Sequence, residues 1–146
     1  MAMLFWSCNE DENTGVLSSS TLLVQESPWV FKTYELINIL DIGNSILTEQ
    51  QIANEITNEL WGATLTFYEN GSGFSDFPGE DDSEFTWQII NGNELQLDFT
   101  VDEFEDIEVY ENLTVNSNEL RISTNGSTYD TAIDFSVLHF GTLVFE

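Results

Sequence analysis

Residues 63–99 read ATLTFYENGSGFSDFPGEDDSEFTWQIINGNELQLDF, and this stretch decides the fold. Ala63, Leu65 and Phe67 alternate with Thr64, Thr66 and Tyr68 until Asn70-Gly71. Phe85, Trp87 and Ile89 alternate with Glu84, Thr86 and Gln88 until Asn91-Gly92, and Leu95, Leu97, Phe99 and Val101 then alternate with Gln96, Asp98 and Thr100. A period of two sends successive side chains to opposite faces of a strand, and Asn-Gly tolerates the positive φ of a tight turn. Two such hairpins in succession predict an antiparallel sheet with one buried and one wet face.

The same grammar extends in both directions. Strands are expected over about 63–69, 73–77, 84–90 and 94–101, with 79–83 a charged loop. Residues 105–115 and 118–124 are joined by the turn signal Asn116-Ser117-Asn118. Asn125-Gly126-Ser127 predicts a further turn into 129–138, and Gly141 a break before a last strand at 142–146. Upstream, Trp29–Leu40 is a β-rich run whose parity puts Trp29, Phe31 and Thr33 on one face and Val30, Lys32 and Tyr34 on the other. Asp41-Ile42-Gly43-Asn44 reads as a turn. Thr48 with Gln51 forms a capping box, after which Ile52, Ala53, Ile56 and Leu60 predict an amphipathic helix over 49–61 that ends at Gly62. Its narrow apolar stripe suits a helix over the mouth or flank of a sheet. Thr21–Glu26 fits either a short helix or a strand. Roughly eight strands joined mostly by short turns close most economically as an all-β, up-and-down antiparallel barrel with one short early helix, because closure removes exposed edges.

Composition narrows the function classes. A chain of 146 residues with eleven Phe, four Trp and four Tyr has the bulk for one domain with a real core. Against 27 acidic residues stand only Lys32 and Arg121, for a formal net charge of −25. That field repels phosphate backbones and anionic lipid, so nucleic-acid binding is not expected. A single cysteine, Cys8, and a single histidine, His139, leave no disulfide, CxxC site or His/Cys metal cluster.

Residues 1–8, MAMLFWSC, are apolar, and 9–20, NEDENTGVLSSS, are polar and acidic. Leu4-Phe5-Trp6-Ser7-Cys8 resembles the end of a bacterial lipoprotein signal, in which a small residue precedes a cysteine that becomes the lipidated N-terminus. Asn9-Glu10-Asp11-Glu12 resembles the acidic segment behind that cysteine in surface lipoproteins of some Gram-negative bacteria. The resemblance implies a signal-peptide remnant at 1–7, a lipid anchor on Cys8, an acidic flexible tether at 8–20 and a barrel domain at 21–146. It implies a cell-envelope, outer-membrane-anchored protein, periplasmic or surface-exposed, that is a monomer.

Further phrases carry a second resemblance. LTFYENGSG at Leu65–Gly73, WQIINGNELQL at Trp87–Leu97 and LTVNSNELRI at Leu113–Ile122 are similar to the hairpins of bacterial lipocalin-like domains. Trp29 matches the Trp of their first strand, although Ser27-Pro28 stands where that family has a Gly-x pair. The resemblance implies a lipocalin-like barrel that binds a small apolar or amphipathic molecule, with no cofactor.

Candidate chemistry is sparse. His139 lies in FSVLHFGTLVF with no nucleophile motif beside it, and reads as a core or rim histidine. No spacing among the acids selects a catalytic pair, so no catalytic residue and no enzyme is expected. Glu80-Asp81-Asp82-Ser83-Glu84 and Asp102-Glu103-Phe104-Glu105-Asp106 offer oxygen donors, but neither has the spacing of a calcium loop, so no metal site is assigned. The expected ligand-binding set is the barrel interior, Trp29, Phe31, Leu65, Phe67, Phe85, Trp87, Leu97 and Phe99, with Ile52 and Ile56 on a helix that closes the open end. The −25 charge favours neutral or cationic ligands. The competing expectation is a filled barrel that serves adhesion, glycan contact or assembly, with Tyr68, Phe74 and Phe77 available to stack on sugars.

Overall fold

The structure is a computed structural model that describes residues 16–146; Cys8 and the signal-like and acidic residues before Val16 lie outside the described residues. Helix α1 (Ser19–Gln25) precedes β1 (Trp29–Asp41), α2 (Glu49–Glu59), β2 (Thr64–Phe67), β3 (Ser72–Asp76), β4 (Ser83–Ile90), β5 (Glu94–Asp98), β6 (Ile107–Val115), β7 (Leu120–Asp130) and β8 (Phe135–Phe145). Each strand pairs antiparallel with the next, and β8 pairs with β1, which closes the barrel. The expected up-and-down, eight-stranded architecture is present. Its leading segment is helical: the open choice at Thr21–Glu26 resolves as α1, capped by Ser18. That helix begins within the 8–20 stretch.

The two Asn-Gly signals work differently. At Asn91-Gly92 both residues have positive φ, 53° and 79°, and the Asn93 N–H donates to the Ile90 carbonyl, a turn of the hairpin-favouring hand, with Asn93 an extra residue before the Ile90↔Glu94 pair. At Asn70-Gly71 only Gly71 is left-handed, at 83°; Gly71 N–H donates to Tyr68 O and Tyr68 N–H to Ser72 O, so Gly71 sits in a bulge after the turn.

Three readings at the far end of the barrel are corrected. Asn125-Gly126-Ser127 is no turn: it lies inside β7, and the connection to β8 comes at residues 131–134. Gly141 does not break the last strand, since β8 runs unbroken from Phe135 to Phe145. The reason is steric. A Cβ on Gly126 would stand 2.7 Å from the His139 ring, and one on Gly141 2.3 Å from the Tyr34 ring. Both glycines make room for buried rings instead of turning the chain. Strict alternation along β1 puts Tyr34 on the face opposite Trp29 and Phe31. A register shift between Phe31 and Thr33 reverses the parity, and Tyr34 is buried at 4% exposure.

The alternation of connections gives the barrel two unlike ends. The β2–β3, β4–β5 and β6–β7 turns share one end, and the β3–β4, β5–β6 and β7–β8 connections share the other. Helix α1 contacts both β2 and β6, which lie across the barrel from each other, so it plugs the first end. Leu23 is fully buried, its carbonyl accepts from Trp29 Nε1 at 3.0 Å and from Ser27 Oγ at 2.7 Å, and Ser27 Oγ in turn accepts from Phe67 N–H. Above the plug, Trp29, Phe31, Leu65, Phe67, Phe85, Leu95, Leu97, Leu120, Ile122 and Phe145 are almost fully buried. Phe31 meets Phe145 edge-on at 5.6 Å, and Phe67 meets Phe85 likewise. Each such pair adds roughly 0.5–1.5 kcal/mol beyond its buried area. Trp87 has the inward parity but stands near the plugged end and is half-buried, its Nε1 donating to Ser72 O at 3.0 Å.

Helix α2 compensates a weak seam. β1 and β2 share only two paired positions, Trp29↔Leu65 and Val30↔Thr64. Beyond them the free Tyr34 N–H donates to Thr57 Oγ1 of α2 at 3.0 Å, and Ile52 and Ile56 are buried beneath the helix. The capping box of Thr48 and Gln51 starts it as expected.

Candidate functional site

Two polar features stand out against this apolar interior: a closed histidine cluster and an open mouth. His139 is fully buried, on the inward-facing row of β8. Its Nδ1 is hydrogen-bonded to Tyr34 Oη at 2.7 Å and its Nε2 to Thr128 Oγ1 at 3.2 Å, and the Tyr34 and His139 rings meet edge-on at 5.4 Å. Burial lowers the His139 pKa and pushes the Tyr34 hydroxyl up to about 12, so both stay neutral near neutral pH. With both ring nitrogens engaged and no exposed atom, His139 has no face to offer a substrate. Nearby, Ser45 Oγ donates to Asp130 at 2.6 Å and ties the loop after β1 to the end of β7. Among the described residues every buried side-chain nitrogen and oxygen has a partner.

The mouth is at the end opposite α1. A cavity of about 660 Å³ opens there between Leu60, just past α2, and the β3–β4 and β5–β6 loops. Its deep wall is apolar: Leu97, Tyr110 and Leu143 from the strands and Phe99 just past β5, with Phe77 and Val101 at the lip. Ser75 and Thr124 add two hydroxyls. Around the opening stand Glu80, Asp81, Asp82, Glu84, Asp106 and Glu108. Glu108 lies directly across from Leu97 in the β5–β6 register, and the Tyr110 hydroxyl donates to its carboxylate. Burial raises the Tyr110 pKa well above its ordinary value, and the Glu108 charge adds to the rise.

The expected ligand set is thereby divided. Leu97 and Phe99 line the cavity. Trp29, Phe31, Leu65, Phe67 and Phe85 belong to the packed lower core, Trp87 packs against that core from its edge, and Ile52 and Ile56 pack beneath α2. Helix α2 lies against β1 and reaches β7, so it walls one side of the mouth and sends Leu60 to the cavity. Tyr68 and Phe74 meet in a separate surface groove of about 380 Å³, while Phe77 turns to the mouth instead.

Leu60, Tyr110, Leu143 and the carboxylate ring are not singled out as ligand residues by the sequence, and Phe77 is named there only as a surface aromatic for sugar stacking. Meander alternation carried the missing signal, because it sends the loops at 77–82 and 99–106 to one end of the barrel. Among the described residues no three His, Cys, Asp or Glu side chains converge to hold a metal ion, and no helix is long and apolar enough to cross a membrane. Comparison with protein-family models, curated proteins and solved structures finds no match to this chain.

Proposed function

We propose that this protein is a non-enzymatic binding module of the cell envelope whose barrel takes a small apolar or amphipathic molecule, neutral or cationic, into its open end. The observation that carries the reading is the 660 Å³ cavity with an apolar wall, because its volume lies in the range of small-molecule pockets, roughly 300–1,000 Å³. The division of the interior supports it: the lower half is packed solid around Trp29 and Phe67, whereas the upper half stays open beside Leu97 and Leu143.

The envelope address rests on the apolar–Cys8–acidic order at the start of the sequence. A chain tethered there would enter the barrel through α1, at the plugged end. Replacing Cys8 with Ala is expected to release the protein from membranes; a soluble wild type would contradict the address.

The binding test is titration with N-phenyl-1-naphthylamine, a neutral apolar fluorophore. Saturable enhancement with one site per chain, lost in Leu143→Asp while the far-UV spectrum is kept, is the expected result. Enhancement that survives Leu143→Asp, or no enhancement, contradicts the reading.

A further inference from the structure

We infer that the mouth selects an alkylammonium amphiphile, with the cationic head held at the Glu108–Asp106 side of the rim and the apolar body against Leu97 and Leu143. The inference rests on the cavity reading above and adds the chemistry of the head group.

Three observations carry it. First, six carboxylates line one opening, and the chain contains only two basic side chains to offset them. Lys32 is paired with Glu146 at 3.3 Å, and Arg121 with Glu35 and Glu119; none of these five lines the cavity. The rim therefore has no internal counter-charge within the protein. Second, the negative ring stands directly above an apolar wall. Low-dielectric walls focus the field of like charges into a cleft and raise the local concentration of the opposite charge. Third, the boundary between wall and rim is fixed. Glu108 faces Leu97 across the β5–β6 ladder, and the Tyr110 hydroxyl holds its carboxylate, so a negative charge is oriented at the depth where the apolar wall ends. The carboxylates are spread around the opening and do not converge as metal ligands. A singly charged head on an apolar body matches that arrangement better than a compact divalent ion, which demands several oxygens at one point.

The test compares three probes that share one apolar body: decyltrimethylammonium, decanol and decanoate. Binding to the full chain is measured by calorimetry below the micellar range, at low ionic strength and again in about 0.5 M NaCl, where the Debye length is only a few ångströms. The expected result is one site per chain, with the cation bound about tenfold more tightly than decanol, decanoate weaker than both, and the preference shrinking in salt. Glu108→Gln keeps a side-chain oxygen to accept from the Tyr110 hydroxyl and removes the charge, so it should bring the cation affinity toward that of decanol. Equal binding of cation and decanol overturns the inference and leaves the cavity reading standing. Several cations per chain, or a cation preference untouched by Glu108→Gln and Asp106→Asn together, shows a diffuse ion atmosphere and likewise overturns it. If no probe binds, the cavity reading falls and the inference falls with it.

Discussion

Gly141→Ala isolates the argument about the buried rings. Gly141 sits in the middle of β8, where an alanine would ordinarily be an improvement, since it restricts the unfolded chain and gains about 0.4–1 kcal/mol. Here the new Cβ would stand 2.3 Å from both Cζ and Oη of Tyr34 and 2.7 Å from the Glu35 carbonyl oxygen. The Tyr34 ring cannot simply retreat, because Oη is bonded to His139 Nδ1 at 2.7 Å and the His139 ring is itself backed by Gly126. Overpacking of this kind costs about 1–3 kcal/mol, and a displaced hydroxyl that leaves a buried imidazole nitrogen unpaired costs about 1–3 kcal/mol more. Set against the entropic gain, the net loss is about 1–6 kcal/mol. For a domain of this size, that is a fall in Tm of roughly 3–20 °C. Urea denaturation followed by tryptophan fluorescence reads the loss as a lower midpoint at unchanged slope. The decisive arm is the double variant with Tyr34→Ala, which removes the ring that clashes. Gly141→Ala should then cost less than in the wild type, with the contact to the Glu35 carbonyl oxygen accounting for what remains. Equal cost in both backgrounds would refute the claim that Gly141 exists to accommodate Tyr34.

Other outcomes follow from the same contacts. Trp29→Ala, which empties a buried site and removes one of the two donors to the Leu23 carbonyl, should cost about 3–5 kcal/mol and clearly more than Trp87→Ala, whose ring is only half-buried; a reversed order in urea melts would contradict the packing. His139 has a folded pKa below its unfolded value of 6.5, so the folded state binds fewer protons and stability falls as the pH drops below about 6.5. His139→Asn should therefore lose less stability than the wild type between neutral and mildly acidic pH, and parallel pH profiles would contradict the burial of a neutral imidazole. Tyr34, raised to about 12, contributes stability that is complete below pH 10 and lost as the pH climbs through 12; Tyr34→Phe should flatten that alkaline limb. Hydrolysis of esters or glycosides is expected to stay at background, and turnover abolished by a His139 change would contradict the non-enzymatic reading.

The two hairpins of residues 63–99 were legible because their signals are local: strict alternation, then Asn-Gly. The helix at 49–61 was legible for the same reason, through Thr48, Gln51 and the Ile52–Ile56 stripe. What failed was local reading of residues whose reasons are distant. Gly126 and Gly141 look like punctuation in the sequence, yet their missing side chains answer to His139 and Tyr34 across the barrel. The parity of Tyr34 was lost at a register shift that leaves no mark in composition. The cavity was blurred likewise. Inward parity identifies Phe67 and Leu97 equally, and only the α1 plug decides that the first is packed core while the second faces the opening.

The most direct measurement is a methyl-resolved NMR titration of the protein with decyltrimethylammonium, which reports every leucine separately. A ligand seated in the barrel mouth should shift Leu60, Leu97 and Leu143 together along one saturation curve, and leave the plug residue Leu23 and the exposed Leu40 and Leu138 in place. Shifts confined to Leu40 and Leu138, or no saturable shift at Leu97 and Leu143, would contradict binding in the mouth.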